Sequence, residues 1–147
     1  MEELTLNDQI ILYDRQATMS AYMAISELGT DICACGGCKN FRQFRSVAYG
    51  PSLLALLDRL GVDPLKEWEV YFWGEEIDGL IPYGGWFAFV GEWSPNRTGM
   101  ECLDPSKEAF SFTDSFPNAT KQFGPKVLAV RFTVQIPKAP DYVSDWG

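Results

Sequence analysis

Cys33-Ala34-Cys35-Gly36-Gly37-Cys38 places three of the chain's four cysteines within six residues. Cys35-Gly36-Gly37-Cys38 has the spacing of a zinc knuckle, where glycines let the backbone wrap an ion and aim N–H groups at the sulfurs. Cys33 adds a third thiolate, and Cys102 closes a tetrahedral set if its loop folds back. The candidate metal ligands are therefore Cys33, Cys35, Cys38 and Cys102, and the candidate cofactor is Zn2+. Lys39, Arg42 and Arg45 follow at once and would offset the negative charge of several thiolates. A second Cys-x-x-Cys pair, which would make the pattern specific, is missing. The same residues support a redox reading: Cys35 and Cys38 at a helix start, beside three bases, would have depressed thiol pKa values and could cycle to a disulfide. No βαβ context precedes them, and free thiols that merely pack are a third reading.

Other groups carry weaker signals. Lys39, Arg42 and Arg45 form a candidate anion site at a helix N-terminus. Trp73, Tyr83 and Trp86 are candidates to line a ligand groove, although core packing is the first expectation for so many aromatics. Glu75, Glu76, Asp78 and Glu92 fall in or beside turns, and a solvated turn is the expectation there; no catalytic residue is assigned. The chain has no histidine. That removes Ser-His-Asp and Cys-His activation, imidazole acid–base catalysis and zinc sites built on His-Glu-x-x-His. A net charge of -8 repels phosphate backbones, so neither nucleic acid nor an anionic membrane is an expected partner. The acidic start, Met1-Glu2-Glu3, lacks a signal peptide's basic head and apolar middle. The expectation is a cytoplasmic protein whose thiols are reduced, which favours metal or redox chemistry over structural disulfides.

These groups must be positioned by elements that the pattern suggests. Residues 3–14 read as one or two short strands. Residues 17–28 are ambiguous: composition favours a helix, but Met19, Ala21, Met23 and Ile25 alternate, and a strand is the expectation. Phe41, Phe44 and Ala48 predict a short amphipathic helix with Asn40 as N-cap and Tyr49-Gly50 as its end. Pro51–Gly61 is the clearest helix, with Leu53, Leu56, Leu57 and Leu60 on one buried face. Beyond Trp68 the pattern is β. A strand at 69–73 precedes Leu80–Tyr83 and Trp86–Val90, which flank Gly84-Gly85 as a tight hairpin turn. The strand from Trp86 to Trp93 is apolar on both faces and is expected to be central. Residues 94–105 and 116–125 read as loops around a short strand at 110–113. Lys126–Ile136 is a half-buried strand, with Leu128, Val130, Phe132, Val134 and Ile136 inward. The tail, 138–147, is expected to be loosely held. The 147 residues thus predict a single α+β domain, a mainly antiparallel sheet packed against one or two short helices.

Four blocks carry a resemblance: Asp14-Arg15-x-Ala17-Thr18-x-x-Ala21-Tyr22, then Cys-x-Cys-x-x-Cys-Lys-Asn-Phe, then Leu60-Gly61-Val62-Asp63-Pro64, then Tyr83-Gly84-Gly85-Trp86-Phe87-x-Phe89-Val90-Gly91. Together they resemble a group of small uncharacterised bacterial proteins. The resemblance spans most of the chain and implies single-domain architecture. Cys102 is not a position associated with that group, so three thiolates plus water is the alternative to a four-cysteine site. The leading expectation is a non-enzymatic binding or interaction module with a structural zinc–thiolate site. The alternatives are a thiol redox protein using the Cys35–Cys38 pair and an acidic inhibitor or immunity-type protein that masks a basic protein partner.

Overall fold

The computed structural model describes residues 1–26, 28, 33–72, 74–96, 109–116 and 119–142. Among them are six strands and four helices. In chain order they are β1 (Glu2–Leu6), β2 (Gln9–Tyr13), α1 (Arg15–Met23), α2 (Gly36–Ala48), α3 (Pro51–Leu60), β3 (Glu69–Phe72), β4 (Leu80–Trp93), β5 (Phe110–Thr113), α4 (Thr120–Phe123) and β6 (Val127–Pro137). Every strand pairing is antiparallel, in the order β1-β2-β4-β6-β5 with β3 also on β4. The architecture is α+β with a mainly antiparallel sheet.

β4 is the spine of the sheet. Leu80 through Val90 pairs with β6 along one edge. The opposite edge is shared, β3 taking residues 83–86 and β2 taking 91–93. Backbone groups left between those two partners would be buried without bonds, a cost of about 1–3 kcal/mol each. Helix α1 fills the gap with side chains: Thr18 Oγ1 accepts from Val90 N at 2.9 Å, and Tyr22 Oη donates to the Ala88 carbonyl at 2.6 Å. That role decides the conformation of residues 15–23. The expected strand is a helix because Thr18 and Tyr22, one helical turn apart, are its buried pair, while Met23 on the alternating set is 83% exposed. Asp14 caps the helix by accepting from Ala17 N at 2.9 Å.

Gly84-Gly85 is not a turn. β4 runs unbroken through both glycines, and each carries a neighbouring strand's ring on an opposite face. A Cβ at Gly84 would lie 2.5 Å from Cζ of Tyr71, and one at Gly85 would lie 2.6 Å from Cζ of Phe132. The glycines are there to let aromatics lie across the sheet. The turn that does form is Asp78-Gly79, both with positive φ (54° and 77°), joining Ile77 to Leu80.

The core lies between α2, α3 and the face of the sheet that bears Ile81, Tyr83, Phe87, Phe89 and Phe132. Phe41 and Tyr49 from α2 and its end meet Tyr83, Phe87 and Phe132 at ring-centroid distances of 5.2–5.5 Å. Such edge and tilted pairs add about 0.5–1.5 kcal/mol each beyond burial. The four leucines of α3 are buried as the pattern predicts. Gly61 closes that helix at φ 86°, with Val62 N donating to the Leu57 carbonyl at 2.9 Å. The expected loop at 116–125 contains α4, anchored by Phe123 against Tyr22 and Trp68. Within the expected loop at 94–105, residues 97–105 lie outside the described residues.

Candidate metal centre

The cysteines sit at the start of α2. This helix begins five residues earlier than expected, because Cys35 rather than Asn40 is its N-cap: Cys35 Sγ accepts from Cys38 N at 3.3 Å. A thiolate in that position also meets the positive end of the helix dipole. Cys33 reaches back over the cap, its Sγ 3.2 Å from Cys35 Sγ. Its carbonyl accepts from Arg42 Nη1 at 2.9 Å, which ties the approaching chain to the second turn of α2. Cys38 points inward and is 5% exposed. The three sulfurs all lie within 4.8 Å of one another.

The donor set fits a metal. A tetrahedral ion with bonds of about 2.3 Å needs sulfurs roughly 3.8 Å apart, so the cluster requires separations to change by no more than about 1 Å. The three thiols differ electrically. The backbone N–H of Cys35 and then the Cys35 and Cys38 thiols hold the Cys33 thiol below its ordinary value, and Arg42 adds to this. Burial pushes the Cys38 thiol well up, and its two sulfur neighbours push it the same way. Three cysteines close enough to bind a metal ion are thus in place, one of them ready to ionise and one reluctant.

What holds this helix start in place is Asn40, 2% exposed. Its amide nitrogen donates to Tyr83 Oη at 3.2 Å and to the Pro137 carbonyl at 3.1 Å, and its oxygen accepts from Ala139 N at 2.9 Å. Tyr83 Oη in turn donates to the Gly37 carbonyl, between the second and third cysteines, at 2.8 Å. Burial is the main cause that raises the Tyr83 phenol to about 12, so it remains a donor at neutral pH. The buried pair joins α2, β4 and the segment after β6. Residues 138–142, expected to be loose with the rest of 138–147, are therefore docked, with Ala139 buried and Tyr142 packed on the core; 143–147 lie outside the described residues.

The other expected site residues do not assemble. Cys102 and Trp73 lie outside the described residues. Tyr83 and Trp86, an odd number of positions apart on one strand, face opposite sides of the sheet and share no groove. Tyr83 packs on Phe41 in the core, whereas Trp86 packs on Tyr71 at 5.0 Å. Lys39, Arg42 and Arg45 do not converge on one anion. Arg42 serves the Cys33 carbonyl, and Arg45 binds Glu67 at 2.7 Å in a pair whose acid is fully buried. Glu75, Glu76 and Asp78 are exposed, as a solvated turn requires, and Glu76 meets Lys138 at 3.2 Å.

Comparison with known proteins finds no matching family model, no matching curated protein and no matching solved structure. The site is therefore read from its own geometry. Sequence reasoning missed Asn40 as a clamp and Glu67 as a buried acid. The signal for the first was an asparagine two positions past the last cysteine and directly before a core phenylalanine.

Proposed function

We propose that the protein is a small metal–thiolate module holding one zinc ion on Cys33, Cys35 and Cys38, with the ion stabilising a binding domain rather than performing a reaction. The observation that carries this reading is the convergence of three sulfurs at the capped start of α2. Zinc suits a sulfur-rich, histidine-free donor set, and its tetrahedral preference leaves a fourth position for Cys102 or water. Ordering the 33–38 loop by metal supports the Asn40 clamp directly behind it, which gives the ion a folding role. Elemental analysis of protein purified without chelator tests this. About one zinc per chain is expected, lost in Cys38→Ser; less than about a tenth of an equivalent overturns the reading. Cys102→Ser then reports whether the fourth cysteine belongs to the site.

The 3.2 Å approach of the Cys33 and Cys35 sulfurs favours a second reading, thiol redox chemistry on that pair rather than on the expected Cys35–Cys38 pair. Two thiols would pass two electrons to an oxidant and release two protons as the S–S bond forms. A thiol count before and after mild oxidation, with Cys33→Ser as control, decides it: unchanged thiols reject the redox role. Among the described residues no helix is long and apolar enough to cross a membrane. A cytoplasmic setting, where thiols stay reduced, is part of the same proposal.

A further inference from the structure

The first turns of α2 and the docked segment after β6 enclose a cavity of about 300 Å³. That is the lower end of the range of roughly 300–1,000 Å³ in which small ligands are held. One wall is Ala34, Gly36, Lys39, Asn40 and Gln43; the other is Ala139, Asp141 and Tyr142. Asn40 pins the walls together through Pro137 and Ala139, so the cavity exists because the clamp is made.

Its charges set it apart from the two hollows that flank α3. The groove beside α1 and the end of α3 also carries acids and bases, but there Arg15 pairs with Asp58 at 3.7 Å and Lys66 Nζ donates to the Tyr22 and Ile25 carbonyls. The hollow between Pro51 and Phe110 has no charged lining among the described residues. In the α2 cavity, Lys39 stands on one wall and Asp141 on the other, and neither has an ion pair among the described residues. A simple anion or cation would gain one of these charges and meet the other as a like charge. A molecule with both charges gains both. Gln43, with an amide that both donates and accepts, lies on the same wall as Lys39.

We propose that this cavity binds a small zwitterion of free-amino-acid size, with its carboxylate toward Lys39 and its ammonium toward Asp141. Among the described residues no cysteine lines the cavity, so the charges that carry this inference are distinct from the proposed metal ligands. Calorimetric titration of the full chain, with its zinc content measured on the same sample, tests it using glycine, L-serine and L-glutamine. Their N-acetylated and amidated forms serve as single-charge controls. Saturable binding is expected for at least one free amino acid, weakened about tenfold or more by blocking either charge. Lys39→Ala and Asp141→Ala, both surface changes that leave the fold intact, are each expected to weaken it about tenfold as well. No binding at concentrations up to about 10 mM overturns the proposal. So does equal binding of the blocked forms, or unchanged affinity in both variants.

Discussion

Replacing Asn40 by alanine tests the physical coupling between the cysteine helix and the far end of the chain. The side chain makes three hydrogen bonds at 2% exposure, to Tyr83 Oη, the Pro137 carbonyl and Ala139 N. Alanine removes all three and leaves the Ala139 N–H and Pro137 carbonyl without this partner. At about 1–3 kcal/mol for each of the two stranded groups, the loss is about 2–6 kcal/mol, a large part of the roughly 5–15 kcal/mol that holds a domain together. At about 3 °C per kcal/mol for a chain of this size, the melting temperature should fall by about 6–18 °C. Asn40→Asp separates the parts. It keeps an acceptor for Ala139 N but loses the donor to Pro137 and Tyr83 and buries a charge, so it should rescue little. Trypsin gives a local readout, because the bond after Lys138 is the one whose Ala139 N–H is held by Asn40. Cleavage there should accelerate in Asn40→Ala under conditions where the rest of the domain stays folded. A melting temperature within about 1 °C of the parent, together with unchanged cleavage at Lys138, would refute the clamp.

Three further outcomes are expected. Arg45→Ala strands the fully buried Glu67 and should cost about 3–5 kcal/mol in urea denaturation, whereas Arg45→Met with Glu67→Leu should recover most of it; equal losses in both would show that the ion pair is not the cause. Gly85→Ala drives a methyl into the Glu69 carbonyl of the next strand and the Phe132 ring, so a loss of at least about 1–3 kcal/mol is expected, and an alanine tolerated without loss would contradict the close approach. Zinc affinity should rise with pH, by about tenfold per unit for each proton displaced, because burial keeps a proton on Cys38 that the ion must remove. The lowered Cys33 thiol gives up its proton more easily and opposes binding less. Competition against a chelator at several pH values measures the slope, and a flat profile through neutrality would argue against thiolate ligation.

What was legible in the chain is what local rules govern. The leucines of α3 announce their face because a helix repeats within a turn, and β6 announces its own because strand neighbours alternate. The three cysteines gather for the same reason: they are close in sequence, and one helix start collects them. The errors lie where a distant partner decides. Gly84-Gly85 has the composition of a turn, but rings from Tyr71 and Phe132 require both positions to be bare and extended. Met19, Ala21, Met23 and Ile25 within residues 17–28 alternate well enough for a strand, but β4 has an uncovered stretch of edge 66 and 72 residues further on, and only a helix aims both Tyr22 and Thr18 at it. Asn40 looks like a helix cap, yet its partners are 43, 97 and 99 residues away. These cases share one physical cause. Polar side chains and glycines have weak local preferences, so the free energy of satisfying a buried backbone group or admitting a ring outweighs them. The same reasoning gives the Cys-x-x-Cys-x-Asn-aromatic run its physical sense: cysteines to gather, an asparagine to hold the helix start against β4 and the segment after β6, and a phenylalanine to seat it in the core.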